Sequence, residues 1–229
     1  MVDPAIFANA YNNGTLTRPT VFVQDLLNNT RKTLRKYPIN IGDDGTLGNS
    51  GITNRCFVTN GNAGLRPGKI LRTKHMHAAE SFNFNLTNLG LPVGHQISVY
   101  RVAAVVSNVA PSWCVLPRNG GPNLMVTVQL TGCAVMVANG PNPGDIKVAH
   151  LQPNAQNHQT GVQLHNHLLG QNYLAVYGRG RYDHRDANGL EDRRVAIIGV
   201  RRNRRWKIYA QKKGTVLNDI RSVHRIYPP

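Results

Sequence analysis

Thr127-Val128-Gln129-Leu130-Thr131-Gly132-Cys133-Ala134-Val135-Met136-Val137-Ala138-Asn139-Gly140-Pro141-Asn142-Pro143-Gly144-Asp145-Ile146-Lys147-Val148-Ala149-His150 is the stretch that sets the fold class. Two apolar-rich runs flank Asn-Gly-Pro-Asn-Pro-Gly, a concentration of turn residues that can continue neither strand, so a β-hairpin is predicted. With residues 139–144 as the loop, Ala138 faces Asp145 and Cys133 faces His150. Directly opposed residues of an antiparallel pair have Cβ atoms about 4.5–5.5 Å apart on one face. A slip of one position in the loop separates thiol and imidazole; a slip that moves the pairing by two leaves them diagonal on the same face.

Outward from this hairpin, β-type runs at 97–109, 124–130, 134–138, 146–151, 173–177, 195–200 and 206–210 follow one another, punctuated by Gly, Pro or Asn. They lie too close together for crossover helices, which predicts a mostly antiparallel sheet system. Upstream, residues 21–36 carry Val21, Leu26, Leu27 and Leu34 with cations gathered at the end, the pattern of a short amphipathic helix. Residues 39–72 are rich in Gly, Asn and Thr and read as irregular with short strands. The expected organisation is one domain over 1–229, with the helix and irregular region of 1–72 packed on a β-rich core at 97–229.

Composition narrows the function classes. The chain has 229 residues, 41% hydrophobic, with 27 Lys+Arg against 11 Asp+Glu and a net charge of +16 at a charged fraction of only 17%. That excludes a disordered basic tail. No apolar run approaches the roughly 18–20 residues of a membrane span. Met1-Val2-Asp3-Pro4 lacks the basic start and apolar stretch of a secretory signal, so cytosolic synthesis is expected. Cys56, Cys114 and Cys133 cannot all pair and form no C-x-x-C, which excludes a disulfide framework and a four-cysteine zinc site.

The densest charge is Arg201-Arg202-Asn203-Arg204-Arg205, between strand-like runs, which puts four arginines around a hairpin turn. Such a turn protects a sheet edge from stray pairing. Together with Lys212 and Lys213 it would also serve a non-catalytic module that grips phosphates. No helix-turn-helix, zinc finger or RNP-type motif accompanies it, so nucleic acid is not the favoured partner.

Cys133 beside His150 carries the chemistry. An imidazole can take the thiol proton, hold the thiolate as an ion pair and later protonate a leaving group. Cys56 and Cys114 have no comparable histidine and read as packing residues.

At these residues the chain resembles the cysteine-dependent protein glutamine deamidases: the cytotoxic necrotizing factor catalytic domains, Burkholderia lethal factor and the chemotaxis receptor deamidases. The resemblance rests on Leu-Thr-Gly-Cys at residues 130–133, Thr127 six positions before the cysteine, and His150 on the next strand. It covers about 25 residues; the usual string has serine where this chain has Thr131. It implies an α+β fold with a β-sandwich core flanked by helices, and Cys133, His150 and Thr127 as the catalytic set, with Thr127 orienting the histidine. It further implies conversion of a glutamine of a target protein to glutamate through a thioester, without a cofactor. The toxin members imply a bacterial effector, acting as a monomer, delivered into a host cell by a route independent of a signal peptide. The family's targets are small GTPases, a translation-factor helicase and chemoreceptors. The backbone N–H groups of Gly132 and Cys133 are the expected oxyanion donors. Thr127, Gln129, Thr131 and Cys133 share a face if the strand stays regular.

A zinc-dependent hydrolase is the competing enzyme class. His75-Met76-His77 and His165-Asn166-His167, with His150 and His158, supply ligands, and alternate residues on a strand share a face. No H-E-x-x-H is present and carboxylates near these histidines are sparse, so no metal is assigned.

Overall fold

The computed structural model describes residues 17–62, 76–77, 80–89, 95–182, 194–214 and 219–229. Helices α1 (Arg18–Asn28) and α2 (Thr30–Lys36) come first, then β1 (Ile39–Asp43), β2 (Gly51–Asn62), β3 (Met76–His77), β4 (Glu80–Leu86), β5 (His95–Val102), β6 (Ala104–Val106), β7 (Cys114–Leu116), β8 (Leu124–Leu130), β9 (Ala134–Asn139) and β10 (Ile146–Gln152). After a 3-10 turn come α3 (Gly161–Leu169), β11 (Ala175–Tyr177), α4 (Arg179–Tyr182), β12 (Val195–Arg202), β13 (Arg205–Lys213) and β14 (Asp219–Tyr227).

The strands form two sheets. The large one runs β1-β4-β2-β5-β8-β12-β13-β14-β3 and the small one β11-β9-β10-β6, with β7 also pairing β10. Most pairs are antiparallel, as expected, but β1 with β4, β5 with β8 and β6 with β10 are parallel. The fold is thus α+β, with a curled mixed sheet on one side of the sandwich.

Strand alternation sorts the side chains into three apolar layers. Leu124 and Val126 of β8 and Ile198 of β12 face α1 and α2. There Phe22 stacks on Phe82 with ring centroids 3.8 Å apart. Met125 and Ile197 face inward, where they meet Val135, Val137, Ile146 and Val148 of the small sheet. Ala134, Met136, Ala149 and Leu151 form the outer face of the small sheet, covered by Leu164 and Leu168 of α3.

Several expectations shift, each for a local reason. The helix predicted over 21–36 is two helices, because Asn29 leaves helical geometry at φ −144°, ψ 61°. Thr30 and Thr33 there donate to the carbonyls of Leu26 and Asp25, competing with the helical ladder. The region expected to be irregular holds β1 and the 12-residue β2. Its Asn and Thr side chains suit a strand because they bond across it: Asn40 donates to Asn83, and Asn85 to Thr59. The single run predicted at 97–109 breaks at Ala103, whose N–H donates to Ser50 Oγ instead of a ladder partner, and the chain passes from β5 in the large sheet to β6 in the small one.

The curl of the large sheet is closed by polar side chains. Gln211 accepts from the Ile39 N–H and donates to the carbonyls of Leu34 and Tyr37, tying α2, β1 and β13 together. Lys213 donates to the Ile39 carbonyl and to Asn40. It is 1% exposed, and burial together with the charge of Arg194 lowers its pKa to about 7. A lysine whose folded pKa lies below its unfolded value binds fewer protons when folded, so the penalty is full below the folded pKa and is relieved as pH rises toward the unfolded one. Between pH 7 and 8.5 the unfolding free energy of the wild type is expected to rise by ~1–2 kcal/mol relative to Lys213→Met. Urea titrations of both proteins measure this, and parallel pH profiles would refute it.

Candidate active site

The chain changes sheets twice at one place. β5 gives way to β6 at Ala103, and β8 to β9 across Thr131, Gly132 and Cys133. Val102 and Thr127 are register partners in the parallel pair β5/β8 of the large sheet. His150 is paired with Ala104 on one side and Val135 on the other in the small sheet. Thr127 and His150, both 0% exposed, therefore meet across the sandwich interior.

Their contact fixes the imidazole's proton. Thr127 Oγ1 lies 2.7 Å from the Val102 carbonyl oxygen and 2.7 Å from His150 Nδ1. A hydroxyl has one proton and a carbonyl can only accept, so Thr127 donates to Val102 and accepts from Nδ1–H. That leaves Nε2 as the bare acceptor, and this buried atom has no hydrogen-bond partner. Burial lowers the His150 pKa to about 4, against a small opposing effect from the Asp43 carboxylate. Asp43 is itself held by Arg101, the residue before Val102, in a bidentate ion pair at 2.7 and 2.9 Å.

Cys133 ends the second crossover. Tyr182 of α4 donates to its carbonyl at 3.0 Å, and Gly161 at the start of α3 packs on the preceding residue. A Cβ on Gly161 would lie 2.1 Å from the Gly132 carbonyl oxygen, so only glycine lets α3 approach the 131–133 crossover this closely. Cys133 as a residue is 8% exposed. Burial raises its pKa, while hydrogen bonds from the backbone N–H groups of Thr131 and Gly132 pull the other way.

The structure brings Thr127 and His150 into contact and puts Cys133 at the crossover that leads into β9, with differences from expectation. Asn139 pairs with Ile146 and the loop is residues 140–145, so Val135 and not Cys133 sits opposite His150, and Cys133 precedes the first paired residue of β9. The register differs from the expected one by two positions. The Gly140 N–H bonded to the Asp145 carbonyl, and Asn142 and Arg118 bonded to the Asp145 carboxylate, hold the loop in that register.

The regular alternation expected from Thr127 to Cys133 does not occur. A bulge in β8 against β12 shifts the pairing, turning Leu130 inward with Thr127 while Gln129 reaches the Ile39 carbonyl. Nor is a thiolate–imidazolium pair present. Nε2 has no partner, and both groups are held neutral near pH 7 by burial. Of the expected oxyanion donors, the Gly132 N–H is turned to the sulfur. Val102, Tyr182 and the Asp43–Arg101 pair join the site without having been singled out; only the crossovers bring them there.

The other candidates are placed elsewhere. Cys56 and Cys114 are packed in separate apolar layers, both pushed up to about 12 by burial. His165 and His167 lie on α3 rather than on a strand, one buried and one exposed, so they cannot share a ligand. His158 is an exposed turn residue with φ 51°. His75 lies outside the described residues, as do the side chains of Met76 and His77. Among the described residues no group of three or more His, Cys, Asp or Glu could hold a metal.

The arginine cluster does flank a two-residue hairpin turn, with Asn203 and Arg204 at φ 52° and 61°. Arg201 is bound to the carbonyls of Pro117 and Gly121 and to Asn123, and Arg202 caps the carbonyl of Asn28. Lys213, a proposed phosphate grip, is inside the protein. No protein-family model matches the chain, and no curated protein does.

Nitrogen chemical shifts of the His150 ring should show the neutral Nδ1–H tautomer from pH 7.5 to 5. In Thr127→Val the ring should become a tautomer mixture, and a titration near pH 6.5 in the wild type would contradict the assignment. Site-resolved alkylation of Cys133 by iodoacetamide should climb steadily from pH 7 to 9. A plateau below pH 7 would mean a preformed thiolate.

Proposed function

We propose that the protein is a cysteine-dependent protein glutamine deamidase in which Cys133 is the nucleophile, His150 the general acid/base and Thr127 its positioning residue. The observation that carries this reading is the Thr127–His150 bond, which commits Nδ1–H and leaves Nε2 as a bare base opposite Val135, two residues along the chain from Cys133. The resemblance to the deamidases implies this positioning role for Thr127.

Access to the thiol favours a side-chain amide over a peptide bond. A nucleophile 8% exposed at the junction of two sheets admits a slender carboxamide more readily than a polypeptide backbone. In the reaction Sγ–H gives its proton to Nε2 as sulfur bonds to the carboxamide carbon, because neither group is ionised beforehand. The carbon–nitrogen bond then breaks, ammonia leaves with the proton from Nε2, and a thioester forms. A water that gives its proton to Nε2 attacks the thioester; glutamate is released and the proton returns to sulfur. The N–H groups of Thr131 and Gly132 stabilise charge on sulfur whenever it is the leaving group.

The target is a protein, and on the toxin resemblance the enzyme is an effector delivered into a host cell and working as a monomer. No helix among the described residues is long and apolar enough to cross a membrane. The zinc hydrolase is disfavoured by the divergence of His165 and His167, and the phosphate-gripping module by the engagement of Arg201, Arg202 and Lys213 within the fold.

Incubated with a eukaryotic cell extract, the wild type should release ammonia and convert a glutamine of a target protein to glutamate, read by peptide mass spectrometry. Cys133→Ser and His150→Ala should each lose at least ~10²-fold. Thr127→Val should fall between them and the wild type, and Thr127→Ser should recover most of the rate. Full activity in both Cys133→Ser and His150→Ala would end the proposal. Added methylamine should leave glutamate as the main product; its incorporation would make the enzyme a transglutaminase instead.

A further inference from the structure

A cavity of about 460 Å³ lies beside the candidate site, bordered by α3, β11, α4 and β14. Tyr177, Val135 and His150 are register partners across β11, β9 and β10, so Tyr177 stands two strand spacings, about 10 Å, from the catalytic histidine. Its ring stacks on Tyr182, the residue that holds the Cys133 carbonyl. The far side of this tyrosine pair is the cavity.

The chemistry of the wall is one-sided. Arg181, Arg225, His224, Gln171 and Tyr173 supply polar side chains, Leu174 and Ile226 are among its apolar ones, and among the described residues no Asp or Glu side chain lines it. Tyr177 is 6% exposed, and its phenol oxygen is buried with no hydrogen-bond partner. Arg225 has one long contact, 3.4 Å to the Pro229 oxygen, which leaves most of its five donors for other acceptors. α4 places Arg179 against Gly161, next to the nucleophile loop, and Arg181 in the cavity wall, so one short turn spans both.

The backbone indicates what kind of molecule carries the anion. β11 is the edge strand of the small sheet, and Ala175 and Val176 line the same cavity. An extended protein segment can lie along such an edge while its side chains enter the space beside it. A carboxylate on a short apolar stem matches cationic heads above apolar walls.

Resting on the deamidase reading, we propose that this cavity is the substrate-recognition pocket, and that it receives an acidic side chain close to the target glutamine in an extended segment of the substrate protein. Arg181 and Arg225 hold the carboxylate. The substrate class is therefore a glutamine in an acidic stretch of a protein.

Binding to full-length Cys133→Ser protein tests this without turnover, by calorimetry with the blocked peptide Glu-Glu-Gln-Glu-Glu and with its all-glutamine counterpart. The acidic peptide should bind and the neutral one should not. Arg181→Gln or Arg225→Gln should weaken binding about tenfold or more. Arg181→Lys should lose less, and Arg55→Gln, the same charge change on the exposed part of β2, should change affinity less than twofold. Equal binding of both peptides, or equal losses in Arg55→Gln and Arg181→Gln, overturns the proposal. Inorganic phosphate that binds at the peptide's affinity and displaces it would make the pocket a site for free anions instead, which also overturns it. In the Cys133-containing enzyme, Arg181→Gln should raise KM for the protein target while kcat stays within about twofold. Acidic-peptide binding without any glutamine conversion would sink the deamidase reading and leave the pocket standing. Conversion with KM unmoved in Arg181→Gln would do the reverse.

Discussion

The hydrogen bond from His150 to Thr127 is the constraint around which the two sheets are organised. It joins a residue of the small sheet to one of the large sheet through the sandwich interior. Thr127 can accept because its own proton is committed to the Val102 carbonyl, and that depends on the parallel register of β5 with β8. His150 can donate because the β9/β10 hairpin sets its depth and the parallel pairing with β6 covers its other side. Both crossovers, at Ala103 and at residues 131–133, are needed to bring these four strands together. A change in any one register removes the bond and leaves buried polar groups unpaired, at a cost of about 1–3 kcal/mol each.

Burial gives the site its resting character. His150 and Cys133 are each pushed toward the neutral form by loss of water, so the pair is poised and not pre-ionised. The buried Asp43–Arg101 ion pair lies one residue from Val102 and contributes a weak opposing field at the imidazole. The backbone amides of Thr131 and Gly132 favour sulfur as an anion. A bare Nε2 in a dry interior is a local loss of stability of the kind that concentrates at functional sites.

Much of this was legible in the chain. The turn residues at 139–144 announced the hairpin, whose register differs by two positions from the one the loop residues suggested, with Val135 opposite His150. The existence and type of most strands followed from composition. The sheet assignment did not, because β8 and β9 are contiguous in sequence yet belong to different sheets, and β5 and β6 likewise. Nothing local marks Ala103 or Gly132 as corners; their role comes from Ser50 and Gly161, far away in the chain. The β8 bulge was equally hidden, since Thr127 and Gln129 look equivalent until Gln129 is claimed by β1. His165-Asn166-His167 failed in the opposite way: read with period two it is a chelate, read with the helical period its two rings diverge.

The positive balance has a different meaning once its members are located. Arg201 is a structural staple, lying over the Trp206 ring at 5.5 Å and filling carbonyls of the loop before β8. Arg101 is neutralised by Asp43, Arg18 by Glu80, and Lys213 is buried. Cations committed in this way hold strands and loops in place and add little that a polyanion can grip, so formal charge overstates the affinity for nucleic acid. Arg181 and Arg225 differ from these because they line a cavity that, among the described residues, holds no carboxylate side chain. On the proposed deamidase reading, long-range attraction comes from the net charge, while the choice of glutamine depends on whether an acidic neighbour fits the two arginines at the edge of β11.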